Sequence, residues 1–244
     1  MKKKMPTLTI ITICYNIKDE IERTCESIVN QTWQDFEWIV VDGGSTDGTV
    51  DILKKYAYRI DKLISEKDKG IYNAMNKGIK LAHGEWLSFM NGGDCFAARD
   101  VLEKVFAGKE YDADVLYGNV KMFRTDGSIY IRTYPDKLSK RFFYKDIINH
   151  QASFIKRDLF NKYGLYNENY RIVSDWEKWI IFAYHKCKYE HLNMIITNFW
   201  RNGIGSVMTK SHLAERADVH YKYYCRRKKY NLFGFIPLLS IEER

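Results

Sequence analysis

Two hydrophobic patterns alternate along the first hundred residues. Residues 7–14 (TLTIITIC) form a continuous, β-branched apolar run, the signature of a buried strand. Ile17, Ile21, Cys25, Ile28 and Val29 then recur at helical spacing, with Asn16 placed to cap that helix. Residues 36–41 are a second apolar strand, and the glycine-rich DGGSTDGT turn leads into a helix over 50–58 opened by Asp47 or Thr49. A short third strand over 61–65, a helix over 71–82 and a fourth strand over 85–90 ending in NGGD complete the series. Strands separated by helices of this length predict an α/β fold, with a mainly parallel sheet covered on both faces.

Beyond Asp94 the pattern changes. Residues 115–123 and 128–133 are strand-like and joined by Asp126-Gly127, as in a hairpin. Residues 137–148 are basic and aromatic and suit either a loop or a helix, and further helices are expected over 157–163, 175–187 and 210–227. No internal repeat or low-complexity linker interrupts the chain. Residues 1–244 are therefore expected to form one domain: a front half to about residue 96, a back half to about 210, and a basic, aromatic C-terminal segment.

Composition narrows the class. With 244 residues, 45% hydrophobic and 15% aromatic, the chain can bury one substantial core. No apolar run approaches the roughly 18 residues that span a bilayer. The start, MKKKMPTLTIITICYN, is basic and then apolar, but its apolar part is short, β-branched and without a small-residue cleavage site. It reads as a first strand, and the protein is expected in the cytoplasm. Five cysteines with no CxxC spacing suggest neither a disulfide framework nor a structural zinc site. A net charge of +8 favours an anionic partner, whether nucleotide phosphates, nucleic acid or an anionic membrane, and does not choose among them.

In an open parallel sheet, ligands gather beyond the carboxyl ends of the strands. Four polar clusters fall at such ends: residues 12–16, Asp42-Gly43-Gly44-Ser45, Ser65-Glu66-Lys67-Asp68 and Asn91-Gly92-Gly93-Asp94. Singly, each has a structural explanation; Asp42 suits a tight turn and Asp94 a helix cap near Ala97. Converging on one edge, they predict a shared ligand. The absence of GxGxxG after the first strand, and of GxxxxGK[ST] anywhere, disfavours a dinucleotide oxidoreductase or a P-loop enzyme. Asp42 suits a hydrogen-bonded ribose or base, and Asp94 an oxygen-liganded Mg²⁺ or Mn²⁺ bridging phosphates.

The ordered set TICYN, DGGSTDGT, SEKDKGIYNAMNKGIKLAHGEW and SFMNGGD resembles the family 2 glycosyltransferases with the GT-A fold, and the likeness continues through NHQASFIKRDLF and VSDWEKW. It is most similar to bacterial enzymes that build capsule, O-antigen or exopolysaccharide. The resemblance implies a Rossmann-like, mainly parallel sheet flanked by helices, with a small antiparallel element and a helical C-terminal part. The front half would bind a nucleotide diphosphate sugar, UDP-linked by default. The back half would bind a glycan or polyprenyl-linked glycan acceptor, and the sugar would transfer to a hydroxyl with inversion.

The same resemblance assigns residues. The family's strand-end Asp-x-Asp-Asp becomes Asn91, Gly93 and Asp94 here, leaving Asp94 as the metal ligand; Mg²⁺ needs only one or two protein carboxylates, so one acid suffices. Asn91, Gly92 and Gly93 would meet the donor, the glycines leaving room for its diphosphate. Thr12 and Tyr15, with Asn16 beside them, would line the base pocket, Asp42 would take the base or ribose, and Asp68 would lie near. Lys77 would meet the diphosphate, or equally sit on a solvated helix face, as would Asn73 and Asn76. Asp175 is the implied catalytic base, against its bland alternative as a helix cap, with Glu177 the fallback. His150 and Trp176 would face the acceptor, whereas Trp179 has core spacing.

The stretch YKYYCRRKKYNLFGFIPLLS suits either an interfacial anchor on anionic lipid or a solvated helix end with a packed tail. A polyprenyl-linked acceptor would make peripheral contact at the inner membrane face useful. Two rival functions fit less well. A nucleotidyltransferase would need a glycine-rich loop with a basic residue near the N-terminus, and none is present. A noncatalytic nucleic-acid binder is disfavoured because acids clustered at strand ends repel phosphate, so no nucleic-acid partner is expected.

Overall fold

A computed structural model describes residues 5–201 and 209–225, together with the backbone of Arg227–Leu232 and Ile236–Glu242. The front half alternates as expected: β1 (Leu8–Cys14), α1 (Lys18–Val29), β2 (Phe36–Asp42), α2 (Thr49–Lys55), β3 (Lys62–Ser65), α3 (Ile71–Leu81) and β4 (Trp86–Phe89). Its strands lie in the order β3-β2-β1-β4, all parallel. Every residue of β1 is buried, which explains an apolar run without alternation: helices cover both faces. The register pairs Cys14 with Asp42 and Asp42 with Ser65, so three strand ends share one edge.

The back half contributes β5 (Cys95–Phe96), α4 (Val101–Phe106), β6 (Val115–Phe123), β7 (Ile129–Arg132), α5 (Lys140–Lys145), a 3₁₀ turn (His150–Ala152), β8 (Ser153–Lys156), α6 (Asp158–Tyr163), α7 (Ser174–Tyr184), β9 (Tyr189–Trp200) and α8 (Lys210–Tyr224). These strands extend the same sheet as β4-β8-β6-β9-β5, with β7 hairpinned onto β6. Because β8 runs antiparallel to β4, with Trp86 opposite Lys156 and Leu87 opposite Ile155, the start of β8 lies at the carboxyl end of β4. β5 runs antiparallel to β9, with Cys95 opposite Asn198, which brings the far end of β9 to the same place.

Several boundaries differ from expectation. Asn16 does not cap α1; it has φ +48 and bridges to the next loop, accepting from Thr46 N at 2.9 Å through Oδ1 while its own N–H donates to Ser45 Oγ at 2.8 Å. The first N–H groups of the helical segment are satisfied from outside it, by Thr49 Oγ1 on Ile17 N (3.0 Å) and Asp47 Oδ2 on Lys18 N (2.9 Å). β9, β5, β8 and α4 were not expected. β9 interleaves Glu190, His191 and Asn193 with apolar residues, so its pattern is neither helical nor cleanly alternating. Helix α8 ends at Tyr224, three residues early, and an antiparallel pair, β10 (Arg227–Leu232) with β11 (Ile236–Glu242), follows it. The C-terminal part is thus a helix plus a hairpin. The side chains of the basic run 226–229 and the apolar tail lie outside the described residues. All five cysteines are free, and among the described residues no helix is long and apolar enough to cross a membrane.

Gly84 sits where the turn before β4 crosses β1. A Cβ there would lie 2.4 Å from Thr9 N and 2.5 Å from Leu8 C, both backbone atoms that cannot swing aside. Gly84→Ala is expected to destabilise the protein by about 2–3 kcal/mol, as overpacking does, measured as a lowered midpoint in urea unfolding.

Candidate active site

The ends of β1 and β4 and several back-half elements meet around the loop 91–94. Helix α1 fixes this loop: Thr24 Oγ1 donates to Asp94 O at 2.7 Å and accepts from Gly93 N at 2.8 Å, while Arg23 donates to Gly93 O through Nε (2.8 Å) and Nη2 (2.6 Å). The Arg23 guanidinium also lies 3.8 Å from the centre of the Trp200 ring, which stacks on Phe123. Asp94 is 6% exposed, and its carboxylate accepts from Trp200 N (3.1 Å) and Gln151 Nε2 (3.2 Å). Burial raises its pKa to about 7, against the opposing pull of these two donors and Arg23.

The glycines of this loop have evident structural roles. A Cβ on Gly92 would fall 2.1 Å from Ile17 Cδ1 and 3.1 Å from Cys14 Cβ, so the residue lets the loop close onto α1 rather than making room for a ligand. Gly93 has φ +97, which turns the chain from β4 into β5.

Asn91 begins a chain of contacts across the two halves. Its Nδ2 lies 3.1 Å from His150 Nε2, and His150 Nδ1 lies 3.2 Å from Asp175 Oδ2. With a carboxylate at Nδ1 and an amide N–H at Nε2, the imidazole is assigned as the Nδ1–H tautomer. The other oxygen of Asp175, Oδ1, receives Trp176 N (2.8 Å) and faces the Tyr72 hydroxyl (2.9 Å), which also donates to Ile172 O at 2.5 Å. Burial, and then the charge of Asp175, push the Tyr72 pKa well up, so the phenol stays a donor. The Asp175 side chain remains 17% exposed. Asn91 Oδ1 is buried and has no hydrogen-bond partner.

A second group lies at the β1–β2–β3 end. The Tyr15 ring and Asp68 Oδ2 crowd Gly43, whose added Cβ would sit 3.2 Å from Asp68 Oδ2 and 3.3 Å from the Tyr15 ring. Lys77 binds Asp68 and, at 2.7 Å, Glu66. Asn73 and Asn76 are both committed to Glu168 of the back half, at 2.9 and 2.8 Å.

Three expected side chains are buried and engaged within the protein. Thr12 is buried inside the sheet with its hydroxyl accepting from Trp38 Nε1 (3.0 Å), so it does not line a pocket. Asp42 is fully buried, and its carboxylate accepts from Gly44 N (3.1 Å), Ser45 N (2.9 Å), Ser65 Oγ (2.7 Å) and the Ser45 hydroxyl, which ties its loop together. Trp176 is 1% exposed, donates from Nε1 to Phe143 O (2.7 Å) and lies under the Arg216 guanidinium, so no face is left for a sugar. Glu177 is buried and paired with Lys222 at 2.7 Å. Conversely, sequence reasoning passed over Tyr72 and Gln151, which lie inside two of the quoted motifs, and Arg23 and Trp200, which lie in none.

Residues 9–170 match the model of glycosyl transferase family 2. The chain belongs to this family. Among curated relatives it is 38% identical over 181 residues to a PGL/p-HBAD biosynthesis glycosyltransferase of Mycobacterium bovis, covering 70% of this chain and 68% of that one. Among solved structures, S. aureus TarS 1–349 in complex with UDP-GlcNAc superposes with a TM-score of 0.71 at 20% identity, over 88% of this chain and 65% of that longer one. The mannosyltransferase PcManGT of Pyrobaculum calidifontis, in complex with GDP-Man and Mn²⁺, gives 0.61 at 19% identity, over 89% of this chain and 61% of that one. These neighbours establish the GT-A fold, and family membership makes the protein a glycosyltransferase, setting aside the nucleotidyltransferase and nucleic-acid-binder alternatives.

The buried acid of the 91–94 loop sets a pH dependence in metal-free protein. The Asp94 pKa is raised on folding, from 3.8 to about 7, so the folded state holds a proton that the unfolded state has released. Its contribution to stability is full below about pH 4 and declines as pH rises toward 7, by a few kcal/mol at most, since one unit is about 1.4 kcal/mol. Asp94→Asn is expected to remove this decline, read from denaturant midpoints between pH 4 and 8 in the presence of chelator.

Proposed function

We propose that this family 2 glycosyltransferase moves a sugar from a nucleoside diphosphate sugar, most simply a UDP-sugar, to an acceptor hydroxyl with inversion, using Asp175 as base. The observation that carries the proposal is the chain Asn91–His150–Asp175–Tyr72, which ties the end of β4 to a carboxylate on α7. The acceptor is a glycan or polyprenyl-linked glycan of bacterial polysaccharide synthesis, as the motif resemblance implies.

In this mechanism the acceptor oxygen attacks the anomeric carbon from the side of Asp175, its proton passes to an Asp175 oxygen, and the bond to the diphosphate oxygen breaks with its electron pair. Trp176 N–H and His150 hold the carboxylate in one orientation, with the Tyr72 hydroxyl packed against Oδ1, so that the base is aimed before the acceptor arrives. Tyr15, Gly43 and Asp68, with Lys77 balancing Asp68, form the nucleotide end.

A divalent cation fits the residues of the 91–94 loop. Among the described residues no three His, Cys, Asp or Glu gather into a cation site. The loop nevertheless offers the Asp94 carboxylate and the unpartnered Asn91 Oδ1, a hard-oxygen pair of the kind Mg²⁺ or Mn²⁺ takes while keeping water and phosphate oxygens. When bound there, the cation would offset negative charge on the leaving diphosphate. The Mn²⁺ of the PcManGT structure supports the same choice. Peripheral contact with an anionic membrane through the basic C-terminal segment belongs to this proposal, supported by the sequence of that segment alone.

The test is a thermal-shift screen with UDP-, GDP- and dTDP-sugars, with and without Mn²⁺. At a hundredfold excess over Kd a donor adds about 2.7 kcal/mol, so Tm should rise by about 5 °C or more. Absence of any shift in folded protein refutes the assignment. Asp175→Asn should keep the donor shift and lose turnover at least a hundredfold, whereas Asp94→Ala should lose the Mn²⁺-dependent part of the shift. Full turnover in Asp175→Asn would remove Asp175 as base.

A further inference from the structure

Five side chains of helix α8 meet one short stretch of the chain. Glu215 Oε1 accepts from Arg171 N at 2.9 Å, and Oε2 accepts from Ile172 N at 2.9 Å and Val173 N at 3.3 Å. Asp218 accepts from the Tyr170 hydroxyl, and Arg216 covers Trp176 at 4.2 Å. Lys222 and Tyr223 both donate to Glu177 Oε1, at 2.7 and 3.0 Å. Every one of these contacts falls between residues 170 and 177, the approach and first turn of α7, where Asp175 sits.

The contacts of Glu215 differ in kind from the others. Three consecutive backbone N–H groups ahead of a helix have no acceptor within it, and here one carboxylate from a segment more than forty residues away in sequence takes all three. Negative charge at this end of α7 also suits the helix dipole. From the opposite side, Tyr72 donates to Ile172 O and faces Asp175 Oδ1. Residue 172 is therefore gripped at its N–H by α8 and at its carbonyl by α3, three positions before the carboxylate.

We propose that Glu215 is a positioning residue for the reaction: by holding the backbone of residues 171–173 against Tyr72, it fixes where the Asp175 carboxylate points. The inference rests on the reading of Asp175 as base. Removing Glu215 frees three N–H groups to turn toward water and lets the backbone ahead of Asp175 rotate. A displacement of about 1 Å at a reacting group is enough for a hundredfold loss.

The experiment measures release of nucleoside diphosphate, with water as acceptor, from the donor that the thermal-shift screen selects. Glu215→Ala is expected to lower kcat tenfold or more while donor KM stays within about twofold. Glu215→Gln, which keeps one carbonyl acceptor for Ile172 and Val173 N–H, is expected to recover part of the loss and serves as the second variant should the alanine protein fail to fold. Lys222→Ala loosens α8 at Glu177 without touching residues 171–173, and its kcat is expected to stay within twofold even where its Tm falls. Unchanged kcat in Glu215→Ala, an equal fall in Lys222→Ala, or a rise in donor KM that accounts for the loss would each overturn the proposal, reducing Glu215 to a structural contact. Failure of the base assignment is seen separately, as full turnover in Asp175→Asn whatever Glu215 does.

Discussion

The antiparallel pairing of β8 with β4 is the constraint on which the candidate site depends. A parallel βαβ front half brings its own strand ends to one edge, but it cannot by itself place a side chain from the far side of the chain opposite that edge. β8 does so because it runs the other way: its first residues begin where β4 stops, and the 3₁₀ turn just before it carries His150 and Gln151 to the 91–94 loop. Gln151 then meets Asp94, and His150 lies between Asn91 and Asp175. A change of strand direction at one position in the sheet thus joins the two halves chemically.

The front half was legible because its signals are local. Continuous apolar strands, helical spacing and glycine-rich turns located four strands and three helices to within a few residues. What the pattern did not reveal was side-chain direction inside a strand covered on both faces. With polar alternation absent from β1, nothing in LTIITIC distinguishes a Thr12 that faces a pocket from one whose hydroxyl accepts from Trp38 Nε1 inside the fold. Trp176 is a different case. It lies at helical spacing with Trp179, Ile180 and Ala183, all buried, so the core spacing read for Trp179 alone extends to Trp176 as well.

The back half was harder for a physical reason. β9 owes its conformation to β6, to which it pairs in parallel with register shifts around Gly118 and Asn119, and not to its own residues. Gly118 is part of that fit, since a Cβ there would lie 2.5 Å from Ile196 Cγ1. Non-local pairing of this kind leaves little mark on a single segment. The same holds for Arg23, Trp200 and Glu215, whose importance comes from what lies across from them in space.

The stitching between the first two loops has a thermodynamic consequence. Asn16, Ser45, Thr46, Asp47 and Thr49 bond to one another across the gap between β1 and β2, and the Asp42 carboxylate is already saturated beneath them. Under the proposed function, a nucleotide docking beside Tyr15 meets loops already tied to one another by these bonds. In that reading little conformational entropy remains to be surrendered on the nucleotide side, and the ordering penalty of association falls on the elements that meet the acceptor.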